Sequence, residues 1–155
     1  MNWIFFAQVG AAILHVVEEY AYPGGFPAFM KKMVPPLAPF ISANFAIAIN
    51  GLFLLLCFAA ALVDRSAQIF RLSIAGLCGL NGLTHIAGAI RARKYAPGLL
   101  TGALLYLPLA ILALARYASA GQVSVGQIVG SFLFGILYQV IPVGYLGLAY
   151  VLKRR

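Results

Sequence analysis

Acidic side chains are nearly missing from this sequence: Glu18, Glu19 and Asp64 are the three in 155 residues. Charge of either sign is scarce too, at 9% of residues, where a soluble globular domain carries about 25%. That scarcity excludes a water-soluble globule, the more so because 63% of the chain is hydrophobic. Cysteine occurs twice, and Cys57 and Cys78 both lie inside apolar runs. A disulfide framework is therefore not expected, and the pair reads better as two small buried hydrophobes. No internal repeat and no linker-like stretch is present, so one domain is expected over residues 1–155. The N-terminal run lacks a positive leading segment, and two glutamates occupy the stretch where a small-residue cleavage site would follow. It reads as a retained span and not as a cleaved signal.

What the chain does have is long apolar runs. Crossing ~30 Å of hydrocarbon takes ~20 apolar residues, and five runs bounded by charge, Gly or Pro meet that length. They predict helices at about 3–20, 37–63, 70–90, 98–115 and 125–152. The expected fold is therefore an all-α integral membrane protein, a bundle of five transmembrane helices. The longest connection, "AYPGGFPAFMKKMVPPLAP", is rich in Pro, Gly and interfacial aromatics and reads as a segment that dips back toward the bundle.

Eleven basic residues give a net charge of +8. In a membrane protein this excess needs no nucleic-acid partner, since basic residues flank spans to orient them and to meet anionic lipid. Lys31, Lys32, Arg91, Arg93, Lys94, Lys153, Arg154 and Arg155 fall on one side, against Arg65, Arg71 and Arg116 on the other. The positive-inside rule then places the N-terminus outside and the C-terminus in the cytoplasm. Gly76, Gly79 and Gly82 in the third span and Gly126 and Gly130 in the fifth suit close helix packing, within one chain or in a homo-oligomer.

The scarce polar groups then fall at one depth. His15 precedes the end of the first span by five residues, roughly 7 Å at ~1.5 Å per residue. His85 lies at a similar depth before the basic cluster that ends the third span, with Asn81 one turn further in on the same face. Asn44 enters the second span at that level, and Thr101 opens the fourth. On the first span, Glu18 and Glu19 follow His15 at i+3 and i+4 and project to its side. Tyr138, Gln139 and Pro142 in the fifth span suit a pocket floor. Asn44 and Thr101 are equally compatible with plain helix-packing hydrogen bonds. Ionisable groups inside spans are costly and mark functional sites.

The stretch "HVVEE" (His15, Glu18, Glu19), the second histidine His85 and "YAPG" (Tyr95, Pro97, Gly98) resemble the prokaryotic HXXEE family. The resemblance runs from the first span to the start of the fourth, and it implies a bacterial or archaeal cytoplasmic membrane. The other Tyr-Pro-Gly, in "YAYPGG", has no tyrosine at the required offset. The family carries no assigned activity, so the resemblance supports a site and not a reaction. Pro97 and Gly98 would open the fourth span, with Tyr95 at the interface above His85.

Two histidines and a carboxylate suit a catalytic zinc with an open fourth position. His15, His85 and one of the two glutamates are the expected ligands; which glutamate is left open by the sequence, with Glu19, one full turn from His15, the geometric favourite. Glu18 is then the expected general base, Tyr95 a second catalytic group, and Asn44, Asn81 and Thr101 the pocket lining. Two free anions in a low-dielectric site would be costly, and a metal offsets that cost. Di-iron carboxylate chemistry needs four carboxylates, and Asp64 lies at the far side, so that count fails. A site just beneath the headgroups points to a membrane lipid or another amphiphile, with hydrolysis or transfer on a lipid or isoprenoid as the expected reaction. A metal-free proton-transfer isomerase, a proton-coupled transporter and a bis-histidine haem protein are the alternatives, haem leaving both glutamates unexplained.

Overall fold

The computed structural model describes residues 3–64 and 66–153. Arg65, Arg154 and Arg155, which entered the charge count, lie outside the described residues. The described residues are helical, with no strand among them. Five helices are long and apolar enough to cross a membrane: Trp3–Ala21, Ala43–Leu62, Gln68–Ala92, Leu99–Ser119 and Val125–Lys153. Helices are the expected solution, because hydrocarbon offers no partner to a free N–H or C=O and a helix satisfies both internally. Their outer faces carry large apolar side chains such as Leu55, Leu62, Ile90 and Leu104.

The third span is the centre of the bundle, and an unbroken stretch from Arg71 to Gly79 is buried. Small residues let its neighbours approach. A Cβ on Gly82 would lie 2.5 Å from the Gly102 carbonyl oxygen, and one on Gly79 would lie 2.9 Å from the Ala110 Cβ, so the fourth span docks by backbone contact. On the other side Gly135 of the fifth span meets the Leu77 backbone at a distance that leaves no room for a side chain. Lipid tails are as apolar as the helices, so such close van der Waals contact is what holds spans together. A Cβ on Gly126 or Gly130 would meet no other helix within 4 Å among the described residues.

Two segments depart from the sequence reading. The second span was expected from residue 37 but begins at Ala43. Pro35, Pro36 and Pro39 hold Pro35–Phe40 as a 3-10 helix, and the α-helix starts only where the Ser42 hydroxyl accepts the Phe45 N–H at 3.1 Å. The first connection is a helix, Gly25–Met33, entered through two glycines with positive φ, Gly24 and Gly25. The fourth span begins at Leu99 after Gly98 and contains a π-helical turn, Gly102–Tyr106.

At the end of the bundle opposite the basic loops, Arg71 is fully buried. It donates to the carbonyls of Ala60 at 3.1 Å and Val63 at 2.7 Å, and its guanidinium lies over the Phe5 ring. A cation is thereby placed at the C-terminal, negative end of the second span.

Candidate metal centre

His15 and Glu19 are one turn apart on the first span, and His85 faces them from the third. Glu19 Oε1 lies 3.6 Å from His15 Nε2 and 3.3 Å from His85 Nε2. The imidazoles meet edge to face with centroids 4.7 Å apart. All three residues are buried, at 2–3% exposure. Burial at that level means the polar atoms must find partners inside the protein. Among the described residues neither Nε2 has a hydrogen-bond partner, and His85 Nδ1 has none either.

Glu18 and Glu19, adjacent in sequence, part company here. Glu18 turns to the start of the fourth span and accepts from Leu100 N at 2.9 Å, from Thr101 N at 2.8 Å, from the Thr101 hydroxyl at 2.5 Å and from the Tyr95 hydroxyl. Gly98 precedes that helix and has no side chain to cap it, so Glu18 performs the capping from another span, where a carboxylate also suits the positive helix end. Both carboxylate oxygens are thus taken by two donors each. The general-base role expected of Glu18 does not fit a carboxylate so fully engaged.

Thr101 connects this cap to the centre. Its hydroxyl has one proton, given to Glu18, so it accepts from His15 Nδ1 at 2.7 Å. A proton on Nδ1 leaves the Nε2 of neutral His15 as a bare lone pair, aimed toward Glu19 and His85. On the other side of the trio, Asn50 Nδ2 donates to Glu19 Oε2 at 2.7 Å and leaves Oε1 to face the histidines.

The remaining walls hold the rings still. Tyr106 stacks on His15 with centroids 4.4 Å apart, and Phe26 of the Gly25–Met33 helix lies 4.7 Å from His85, so the first connection covers the centre. Gly98 sits against both imidazoles. A Cβ there would lie 2.7 Å from Cε1 of each and 2.8 Å from His85 Nδ1, and its φ of 88° is itself glycine territory. "YAPG" therefore has two physical duties at the centre: Tyr95 holds the capping glutamate, and Gly98 makes room for the histidines. Burial, together with the Glu18 carboxylate, raises the Tyr95 hydroxyl to about 12, so it remains a donor at neutral pH.

The donor set suits a transition metal. A zinc ion bonded at ~2.0–2.1 Å sets tetrahedral neighbours roughly 3.3–3.5 Å apart, close to the 3.3 and 3.6 Å separations from Glu19 Oε1. The three donor atoms all fall within 4.8 Å of one another. Buried imidazole nitrogens without a hydrogen bond, gathered around a carboxylate oxygen, are what a metal would satisfy.

A cavity of about 520 Å³ opens on Glu19 and His85. Its walls are mainly apolar, from the Gly25–Met33 helix and the second and fifth spans, and Asn50, Asn81, Thr84, Arg91 and Gln139 interrupt them. Tyr138, Gln139 and Pro142 line it as well. Asn81 reaches it with its Oδ1 buried and without a partner. Thr101 lies behind His15 and not on the cavity wall, and Asn44 is exposed and touches neither centre nor cavity. Asn50, not singled out in the sequence, stands where Asn44 was expected. The signal for it was a second asparagine in "NFAIAIN", six residues on, the same six by which the helix start was misplaced.

A family model described as "Protein of unknown function with HXXEE motif" matches residues 3–113. The match takes in every residue of the centre, from His15 to Tyr106, and stops before the fifth span. Comparison with the curated proteins and with the solved structures finds no match.

Proposed function

Given that the chain belongs to the HXXEE family, proteins of unknown function, we propose that it is an integral-membrane, metal-dependent enzyme acting by hydrolysis or transfer on an amphiphilic substrate. The observation that carries this reading is the convergence of two unpartnered imidazole Nε2 atoms on Glu19 Oε1, with the His15 tautomer held by Thr101. His15, His85 and Glu19 would hold the ion, with zinc the best match to two nitrogens and one oxygen. Bound there, it would supply Lewis-acid polarisation and would lower the pKa of a water.

The chain's own residues do the rest. Thr101 and Glu18 keep the proton of His15 on Nδ1 and its lone pair on Nε2. Asn50 orients Glu19. Tyr95 and the first turn of the fourth span hold Glu18 in place. Phe26 and Tyr106 exclude bulk water from the imidazoles, which strengthens every electrostatic interaction among them. The adjoining cavity has apolar walls and a few polar groups near the centre, the pattern of a site for a lipid or isoprenoid. With the basic loops in the cytoplasm, as the positive-inside rule expects, the centre works in the cytoplasmic leaflet.

Elemental analysis by mass spectrometry tests this, on protein purified in detergent without chelator, beside His15→Ala and Asp64→Asn. The expected result is about one zinc or other transition-metal ion per chain, lost in His15→Ala and retained in Asp64→Asn. Metal-free wild-type protein after metal-supplemented expression would sink the reading. In that case the buried Glu19–His85 contact, with neither His85 nitrogen in a hydrogen bond among the described residues, favours proton transfer on a lipid double bond.

A further inference from the structure

We infer that Arg91 reads the head group of the substrate, and that the ligand of this cavity is a single-chain amphiphile with an anionic head. The inference rests on the reading of the cavity as a substrate site. It does not depend on the metal.

Leu77, Asn81, Thr84, His85, Gly88 and Arg91 of the third span all line the cavity. Their spacing places them on one face of one helix, so the helix is a ruler along the cavity. At ~1.5 Å per residue, Arg91 stands about 9 Å from His85 toward the basic end, and Leu77 about 12 Å from it toward the interior. Chemistry changes along that line. Arg91 is exposed and is the one cation among the lining residues, while Glu19 is the one acid. Asn81, Thr84 and His85 occupy the middle. Past them, toward the interior, the lining is Leu56 and Leu77.

A ligand matched to that sequence has an anionic group at one end, the group acted on near its middle, and hydrocarbon at the other end. Guanidinium binds phosphate or carboxylate through paired N–H donors, so either anion meets the requirement. The volume of about 520 Å³ lies within the ~300–1,000 Å³ of pockets that enclose one drug-sized ligand. It accommodates one hydrocarbon chain and not the two of a bilayer phospholipid. A neutral head would forgo the contact with Arg91, and a cationic one would be repelled.

The test is equilibrium binding to wild-type protein stripped of metal with chelator, so that turnover does not enter. The probes share one oleoyl chain: oleoyl lysophosphatidate, oleate and uncharged monoolein. The expected result is about tenfold tighter binding of both anions than of monoolein, the worth of one charge-assisted contact. Arg91→Gln should erase that preference and leave monoolein binding unchanged. Arg91→Lys should keep part of it, and Arg93→Gln, which does not line the cavity, should keep all of it. Tighter binding of one anion alone identifies that anion as the head. Equal binding of all three probes to wild type, or a preference that survives Arg91→Gln, would overturn the inference. Because the protein is metal-free, the proposal can stand where the metal reading fails, and the reverse.

Discussion

The Thr101 hydroxyl lies between Glu18 and His15, giving its proton to Glu18 Oε2 and accepting from His15 Nδ1. One side chain of the fourth span thus sets the tautomer of an imidazole on the first. Threonine suits this place because a hydroxyl donates and accepts at once. Valine has its shape and neither capacity. Thr101→Val should weaken zinc binding about 10–100-fold, as loss of a partner behind a metal-bound histidine does, and Thr101→Ser should recover most of it. Competition titration against a chromophoric chelator measures both. Equal affinities for wild type and Thr101→Val would show that the relay has no part in binding.

Gly98 has no room for a side chain, between two Cε1 atoms at 2.7 Å and a backbone φ of 88°. Gly98→Ala should displace both imidazoles, abolish metal binding, and cost about 1–3 kcal/mol for the backbone alone. Thermal unfolding in detergent and metal content read the two effects. Gly130→Ala, in open space, should leave both measurements at wild-type values.

Asn50 and Asn44 make a paired test of which asparagine serves the centre. Asn50→Leu removes the donor to Glu19 Oε2 and should weaken metal binding by about tenfold. Asn44→Leu should leave it unchanged, since that side chain is exposed and away from the centre. The reverse ranking would return the site to the sequence-based placement.

Tyr95 supplies a pH dependence. Its hydroxyl titrates at about 12 in the folded protein, against ~10 for a free tyrosine. A pKa raised on folding means that the protonated, donating form is the one stabilised. The contribution is therefore fully present below pH ~10 and is lost as pH rises through about 12. Wild type and Tyr95→Phe should differ in stability by a constant amount from pH 6 to 9. The gap should close above pH ~10 and vanish beyond about 12. Thermal melts across that range check this, with tyrosinate absorbance to follow the titration. A gap that changes between pH 6 and 9 would point to another group.

The number of spans and the level of the polar groups were legible because both follow from local pattern. An apolar run long enough to cross hydrocarbon is visible residue by residue. A shared depth follows from helical rise once the span ends are known. Where the ends were misread, the site was misread with them: the Pro35–Phe40 segment delayed the second span by six residues, and Asn50 took the expected place of Asn44. The Gly25–Met33 helix was legible only as a segment that returns to the bundle.

By itself the sequence determined a membrane bundle with His15, Glu18, Glu19 and His85 at one end, because composition and helical periodicity leave no other place for them. The tertiary structure alone decided which glutamate does what. Successive residues are ~100° apart on a helix, so Glu18 and Glu19 flank the direction of His15 on opposite sides, and the first span favours Glu19 only by its full-turn spacing from His15. The neighbours decide. On one side the bare N–H groups of Leu100 and Thr101 draw Glu18 into a cap. On the other, Asn50 and the two unpartnered imidazole nitrogens leave Glu19 to complete the centre.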